Sequence, residues 1–334
     1  LSDIGVRYGD GPMTLRLTID EQAWRRHVDA VRARVTDLVP VIKGNGYGIG
    51  RAALLAEAST WAHTVAVGTV HEALVVSHTG TVDVLCLTPS LEVPDGLGER
   101  VIPTVGRTEH VDALRVAGRR GRVAVKLASS MRRYGVSPEG LDELLRAVRD
   151  AGCEPHLFMF HPPLATGGRT DDDVLAELAP WLPRLDPSIP LSVSHLSVDG
   201  WARLASDHPE RTVSLRLGTA LWHGDKSSLH LDADVLDTRP VHAGDRAGYR
   251  LGEVQVDGTL AMVGAGSAHG IAPLPDGRSP FHFARRRLAL LEPPHMHTSM
   301  VLAPVDGPQP AVGDRVDVQR PLITVAPDEV VWRR

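Results

Sequence analysis

The chain has 334 residues, 43% of them hydrophobic, and 36 basic against 41 acidic side chains give a formal charge of −5. That size and composition fit one large domain or two ordinary ones with a substantial core. The acidic balance and the lack of a long basic block argue against nucleic acid or an anionic membrane as partner. No apolar run approaches the roughly 18 residues of a membrane span, and LSDIGVRYGDG does not read as a secretory signal, so a cytoplasmic location is expected.

Helix-period and strand-period segments alternate from residue 20 onward. DEQAWRRHVDAVRAR (20–34) predicts a helix with Trp24, Val28 and Val31 on one face and Asp20 as its cap. Short apolar strands then recur at about 38–43, 64–68, 82–87, 101–105, 122–127, 154–161, 190–194 and 212–217. Helical stretches such as VHEALVVSHTG, TEHVDALRVAGRRG, PEGLDELLRAVRDAG and TDDDVLAELAPWL separate them. The strands are near-continuously apolar, as in a parallel sheet covered on both faces. Eight of them with helices between predict a (β/α)₈ TIM-type barrel, since right-handed crossovers repeat into that form.

Beyond LRLGTALWHGD (215–225) the segments become short and punctuated by proline and glycine, which reads as a C-terminal all-β domain. The expected division is a barrel over 12–225 and a β-domain over 226–334, with residues 1–11 joining the latter. Cys86 and Cys153 sit in apolar runs and read as small core residues, so neither a disulfide framework nor a metal site is expected.

Only three lysines, Lys43, Lys126 and Lys226, stand among thirty-three arginines. Arginine keeps its proton and does not readily form an imine, whereas a desolvated lysine does both kinds of chemistry. Chemistry in such a barrel gathers at the C-terminal strand ends. Lys43 ends the first predicted strand and runs into the glycine-rich turn GNGYGIG, Lys126 ends the fifth, His161 the sixth, and Arg216 closes the eighth. SHLS (194–197) follows the seventh. Two of three lysines thus point to one mouth.

VIKGNGYGIG resembles the pyridoxal phosphate (PLP) lysine motif of the alanine racemase family, V-K-A-N-A-Y-G-H-G. VAVKLASSMRRYG is similar to that family's K-x-D-T-G-M-x-R-x-G, LRLGTALWHG to its R-P-G-I-x-L-Y-G, GAGSAHG to its G-Y-A-D-G, and HTSMVL to a later segment with Met-Asp. Five matches in order span nearly the whole chain. The resemblance implies that Lys43 holds PLP as a Schiff base and that Tyr47 reaches the phosphate. Gly218, Thr219 and the 194–197 segment (Ser194, His195, Ser197) would complete the phosphate cradle. Arg216 would face the pyridine nitrogen and keep it unprotonated, which weakens the electron sink and favours simple proton exchange. His161 would pack against the ring or support Arg216. Arg133 would bind the substrate carboxylate, and Lys126, carbamylated in some relatives, would orient Arg133; Met131 and Met300 would line the substrate. The implied protein is a PLP-dependent amino-acid racemase or epimerase that works as a head-to-tail homodimer on a small-molecule amino acid substrate, with an altered second base that would suit a bulkier or polar side chain.

The chain departs from the family where the second base should stand. Racemisation needs a proton carrier on each face of a planar carbanion. The tyrosine of G-Y-A-D-G, given by the partner's β-domain, is Ser267 here, and no tyrosine follows Tyr249. D-T-G-M has become Ala128-Ser129-Ser130-Met131, and Met-Asp has become Met300-Val301. On a strand, Ser267 and His269 would share a face, so a Ser267–His269 pair or His269 alone is expected to replace the tyrosine; His282, His295 and His297 are nearby. The alternatives are decarboxylation or one-sided α-proton chemistry, and a catalytically silent PLP-binding protein.

Overall fold

The computed structural model describes residues 14–79, 81–164 and 168–334. Two compact units emerge, Arg26–Gly224 on the one hand, and Asp225–Arg334 with residues 14–25 on the other.

The Arg26–Gly224 unit is the predicted barrel. Its strands are Leu38–Pro40, Thr64–Val67, Asp83–Cys86, Val101–Ile102 continued by Thr104–Val105, Gly121–Lys126, Cys153–Met159, Leu191–Ser194 and Val213–Leu217. Every pairing among them is parallel. The ring closes because Val213–Leu217 pairs with Leu38–Pro40, and Val41 bridges Ala66 on the next strand. The fourth strand splits at Pro103, which has no N–H for a ladder. One half pairs with Asp83–Cys86 and the other with Gly121–Lys126, while the Pro103 carbonyl accepts from the Ala124 amide at 2.8 Å.

Strand interiors such as Val65, Ala66 and Val67 or Val123, Ala124 and Val125 are fully buried, which is why they read as unbroken apolar runs. Helices begin where small polar residues stop the strands. Asp20 caps Glu21–Arg32 by accepting from the Ala23 amide at 2.8 Å. Thr170 and Asp173 form a reciprocal capping box on Asp171–Leu178. Cys86 and Cys153 are both buried, and burial pushes the Cys86 thiol up to about 12.

The second unit is built on the long strand Leu229–Val241, which pairs antiparallel with Leu15–Asp20, Gly258–Val263 and Arg315–Val318. Ser299–Pro304 adds to Gly258–Val263, and Glu329–Arg333 lies parallel to Leu15–Asp20. Val241, Val254, Leu260 and Leu302 form a core cluster here. Residues 14–25 therefore group with this unit rather than opening the barrel. Leu15, Leu17 and Ile19 are fully buried in its sheet, and Arg16 pairs with Glu329 at 2.7 Å. Leu15, Leu17 and Ile19 alternate with Arg16 and Thr18, a two-residue period unlike the barrel's apolar runs. Residues 1–11 lie outside the described residues.

Candidate active site

Lys43 lies in the turn after Leu38–Pro40 and Val41, at the C-terminal end of the barrel strands. The turn is tight: a Cβ on Gly46 would stand 2.3 Å from the Arg51 amide, so the chain folds directly onto the start of helix Arg51–Ala58. Glu72 pins it from the next strand–helix junction. Its carboxylate accepts from the amides of Gly44 (3.0 Å) and Gly68 (2.6 Å) and lies 3.4 Å from Arg51. Glu72 belongs to none of the sequence motifs, and its signal is one carboxylate in the first turn of the helix Val70–Thr79 that follows the second strand.

The electrostatics of the mouth favour neutral amines. Lys43 is exposed as a residue, yet the protein packed around its amine lowers its pKa, helped by Arg133 and Arg216 and opposed by Glu72. Lys126, the last residue of its strand, is 5% exposed and donates to the Leu87 carbonyl at 3.5 Å. Burial first, then Arg216, Arg133 and Lys43, push it down to about 7. As an ammonium, Lys126 repels Arg133, so only another form of it would orient that guanidinium. Both cations approach the Tyr134 ring, at 5.9 Å for Lys126 Nζ and 5.5 Å for Arg133 Cζ.

Arg216 sits on the last barrel strand, 4% exposed. One Nη donates to the Phe160 carbonyl at 2.8 Å and to Ser194 Oγ at 3.4 Å. The other, Nη1, is buried and has no partner among the described residues. Burial alone lowers this guanidinium to about 9. Ser194 also bonds His161 Nδ1, and the His161 and His195 rings lie 4.5 Å apart. Burial, then Arg216, His195, Lys126 and Arg133, push His161 down to about 2, so it is neutral. His195 adopts φ 61° and bonds the Pro162 carbonyl at 2.8 Å.

A cradle forms where the last strand meets the short helix Thr219–Trp222. Gly218 caps it, and its first amides have no intrahelical acceptor. A Cβ on Gly218 would fall 1.9 Å from the hydroxyl of Tyr47, which is buried. Burial and then Glu72 push Tyr47 up to about 12, so it is a hydrogen-bonding phenol. Trp222 packs rather than faces a ligand: it is fully buried and donates to the Val41 carbonyl at 2.7 Å.

Several expected site residues are committed elsewhere. Ser197 caps helix Val198–Asp207 and donates its hydroxyl to Asp171, whose carboxylate also takes the Ser197 amide at 2.9 Å. A carboxylate at that hydroxyl disfavours a phosphate there. Ser267 and His269 do not lie on a strand but in a 3₁₀ turn between Gly266 and Gly270, the latter at φ 80°. Ser267 is exposed whereas His269 is buried, with Nε2 at 3.2 Å from Asp328 and Nδ1 accepting from the Gly266 amide at 3.1 Å. The expected Ser267–His269 pairing on one face is therefore not formed. Met300 pairs in register with Met262 and packs on the β unit's core. Met131 lies in a barrel loop fixed by Ser129, which donates to the His161 carbonyl at 2.8 Å, and by Glu177, which takes the Ser130 amide at 2.6 Å.

Residues 19–223 match the family model described as alanine racemase, N-terminal domain. The chain belongs to the alanine racemase family. It is 25% identical over 315 residues to the alanine racemase of Marinobacter nauticus, covering 87% of this chain and 84% of that one. With the alanine racemase of Salinispora tropica it shares 34% identity over 149 residues, 41% of this chain and 40% of that one. The alanine racemase structure from Bartonella henselae, with covalently bound pyridoxal phosphate, superposes with a TM-score of 0.74 at 20% identity, over 96% of this chain and all of that one. The biosynthetic alanine racemase of Pseudomonas aeruginosa gives 0.73 at 19%, covering 96% and 100%. The alanine racemase fold thus extends through the β-rich unit, beyond the residues that the family model matches.

Proposed function

We propose that the protein is a PLP-dependent amino-acid racemase or epimerase with a second base other than tyrosine. The observation that carries this reading is Arg216: a buried guanidinium with one unpaired Nη needs an acceptor, and a neutral pyridine nitrogen is one. The rest of the mouth fits the same cofactor. Lys43 would hold its aldehyde carbon, and the amides of Gly218 and Thr219 with the Tyr47 hydroxyl would hold its phosphate. Ser194 would act through Arg216 and His161 rather than on the phosphate.

When bound, PLP withdraws electrons from the amino acid's α-carbon and acidifies its proton. Lys43, whose pKa burial and Arg133 lower, takes and returns that proton on one face. Arg133 binds the substrate carboxylate. Neutral Lys126 is the form that captures carbon dioxide, losing a proton as the carbamate forms, and a carbamate would turn its repulsion of Arg133 into attraction. One-sided α-proton chemistry remains the second reading, because the expected base His269 is held by Asp328.

We further propose a cytoplasmic head-to-tail homodimer in which the β-rich unit of one copy completes the barrel mouth of the other. Tyr249, Met296 and Leu251 are 86%, 67% and 60% exposed on that unit, apolar side chains that a second copy would cover.

Offering L- and D-amino acids in deuterium oxide tests the activity. The reading expects label at the α-carbon of at least one amino acid together with both enantiomers. Label with complete retention of configuration overturns racemisation. The cradle has its own test. Gly218→Ala drives a methyl into the Tyr47 hydroxyl, so PLP affinity, followed by absorbance titration, should fall by at least about tenfold. Unchanged affinity would remove Gly218 from the phosphate site.

A further inference from the structure

We infer that His295, held by the carboxylate of Glu292, is the second proton carrier of the racemase; this rests on the racemase reading above. The barrel mouth offers little to oppose Lys43. Tyr47 is a phenol wedged against Gly218, neutral His161 bonds Ser194, His195 is tied to the Pro162 carbonyl, and Lys126 is buried against Leu87. In the β-rich unit, His269 is spent on Asp328 and the Gly266 amide.

The chain has instead built a histidine–carboxylate pair beside position 267. The Ser267 amide donates to the His295 carbonyl at 2.7 Å, and the Ala268 amide to that of Met296 at 2.9 Å. His295 is thus the paired neighbour of the serine that replaces the family's tyrosine. Its Nε2 bonds Glu292, which is 7% exposed. A ring nitrogen that donates to a carboxylate leaves the other with its lone pair, the tautomer a general base needs.

Glu292 does more than bond the ring. It accepts from the amides of Tyr249 (2.8 Å) and Arg250 (2.9 Å), and a Cβ on Gly248 would lie 2.2 Å from its oxygen. The tip of the hairpin formed by Arg246–Ala247 and Gly252–Glu253 is thereby clamped so that Tyr249 stacks on His295, centroids 4.2 Å apart and planes 27° from parallel. Burial opposes the charge on Glu292, but hydrogen bonds from His295 and the two amides hold its carboxyl below the usual range. Tyr249, Ser267, Glu292, His295, His297 and Thr298 line one concavity of this unit. His295 is the member of this group whose ring a buried carboxylate orients, so His295 rather than Tyr249 is the base.

The experiment uses the holoenzyme and an amino acid that the wild type interconverts, read in deuterium oxide for interconversion and for label washed into each enantiomer. His295→Gln should lower interconversion at least 100-fold while wash-in to the enantiomer served by Lys43 stays within threefold. Glu292→Gln should separate the two readouts in the same direction, which loss of a merely structural contact would not do. Tyr249→Phe and Ser267→Ala should leave both within threefold. Interconversion surviving in His295→Gln, or lost equally in Tyr249→Phe or Ser267→Ala, overturns the proposal. So does joint loss of both readouts in His295→Gln and Glu292→Gln. A wild type that neither exchanges nor interconverts any amino acid refutes the racemase reading instead.

Discussion

Lys43→Ala should lower α-proton exchange and interconversion by on the order of 10⁴-fold, the upper range for loss of a positioned base. It should also remove the yellow absorbance of the protein supplied with PLP. The cause is local: Lys43 stands in the same turn as Tyr47, whose hydroxyl meets Gly218 at the cradle, and burial followed by Arg133 lowers its pKa toward the free amine that attacks an aldehyde. Borohydride reduction of the PLP-loaded wild type followed by peptide mapping reads this cleanly, because only three lysines exist. Label on Lys43 alone is expected. Label on Lys126 or Lys226, or an undiminished yellow band in Lys43→Ala, would refute both the cofactor assignment and the role of the turn.

Arg216→Leu is the second large effect. The substitution removes the buried guanidinium whose Nη1 awaits an acceptor, and with it one charged hydrogen bond to PLP. Such a bond contributes about 1.5–3 kcal/mol, so PLP affinity should fall by roughly 10- to 150-fold. Loss of the cation should also raise the pKa of Lys126, since Arg216 is the largest charge holding it down after burial. The sign follows from like-charge repulsion: without Arg216 the ammonium is less disfavoured, and more of Lys126 stays charged at neutral pH. Carbon dioxide capture on Lys126, followed by ¹³C NMR with labelled bicarbonate, should then decrease. PLP affinity equal to wild type would show that Nη1 does not face the pyridine nitrogen.

The barrel was legible because each strand is covered on both faces and so leaves an unbroken apolar run. The break at Pro103 was not read, because the two halves serve different neighbours. Residues 15–20 were misplaced for the converse reason. Their alternation fits a sheet strand, and only the pairing with Leu229–Val241 and Glu329–Arg333 says which sheet. Ser267 and His269 were expected on one face because two-residue spacing was read as a strand. A close approach to the His295 carbonyl, 2.3 Å from any Cβ on Gly266, and the left-handed Gly270 bend that segment into a 3₁₀ turn instead.

What the sequence determined by itself is chemical identity in order: a lysine at a strand end before a glycine-rich turn, a second lysine, an arginine on the last strand, and a serine where the family has tyrosine. Those are local facts, readable because periodicity and turn chemistry act over a few residues. The tertiary structure decided which atoms are spent and which are spare. The unpaired Nη1 of Arg216, the loss of Ser197 to Asp171 and of His269 to Asp328, and the clamp of Glu292 on Tyr249, 43 residues away, each depend on groups distant in the chain. Hydrogen bonds and burial are settled by spatial neighbours, and no spacing along the chain encodes them.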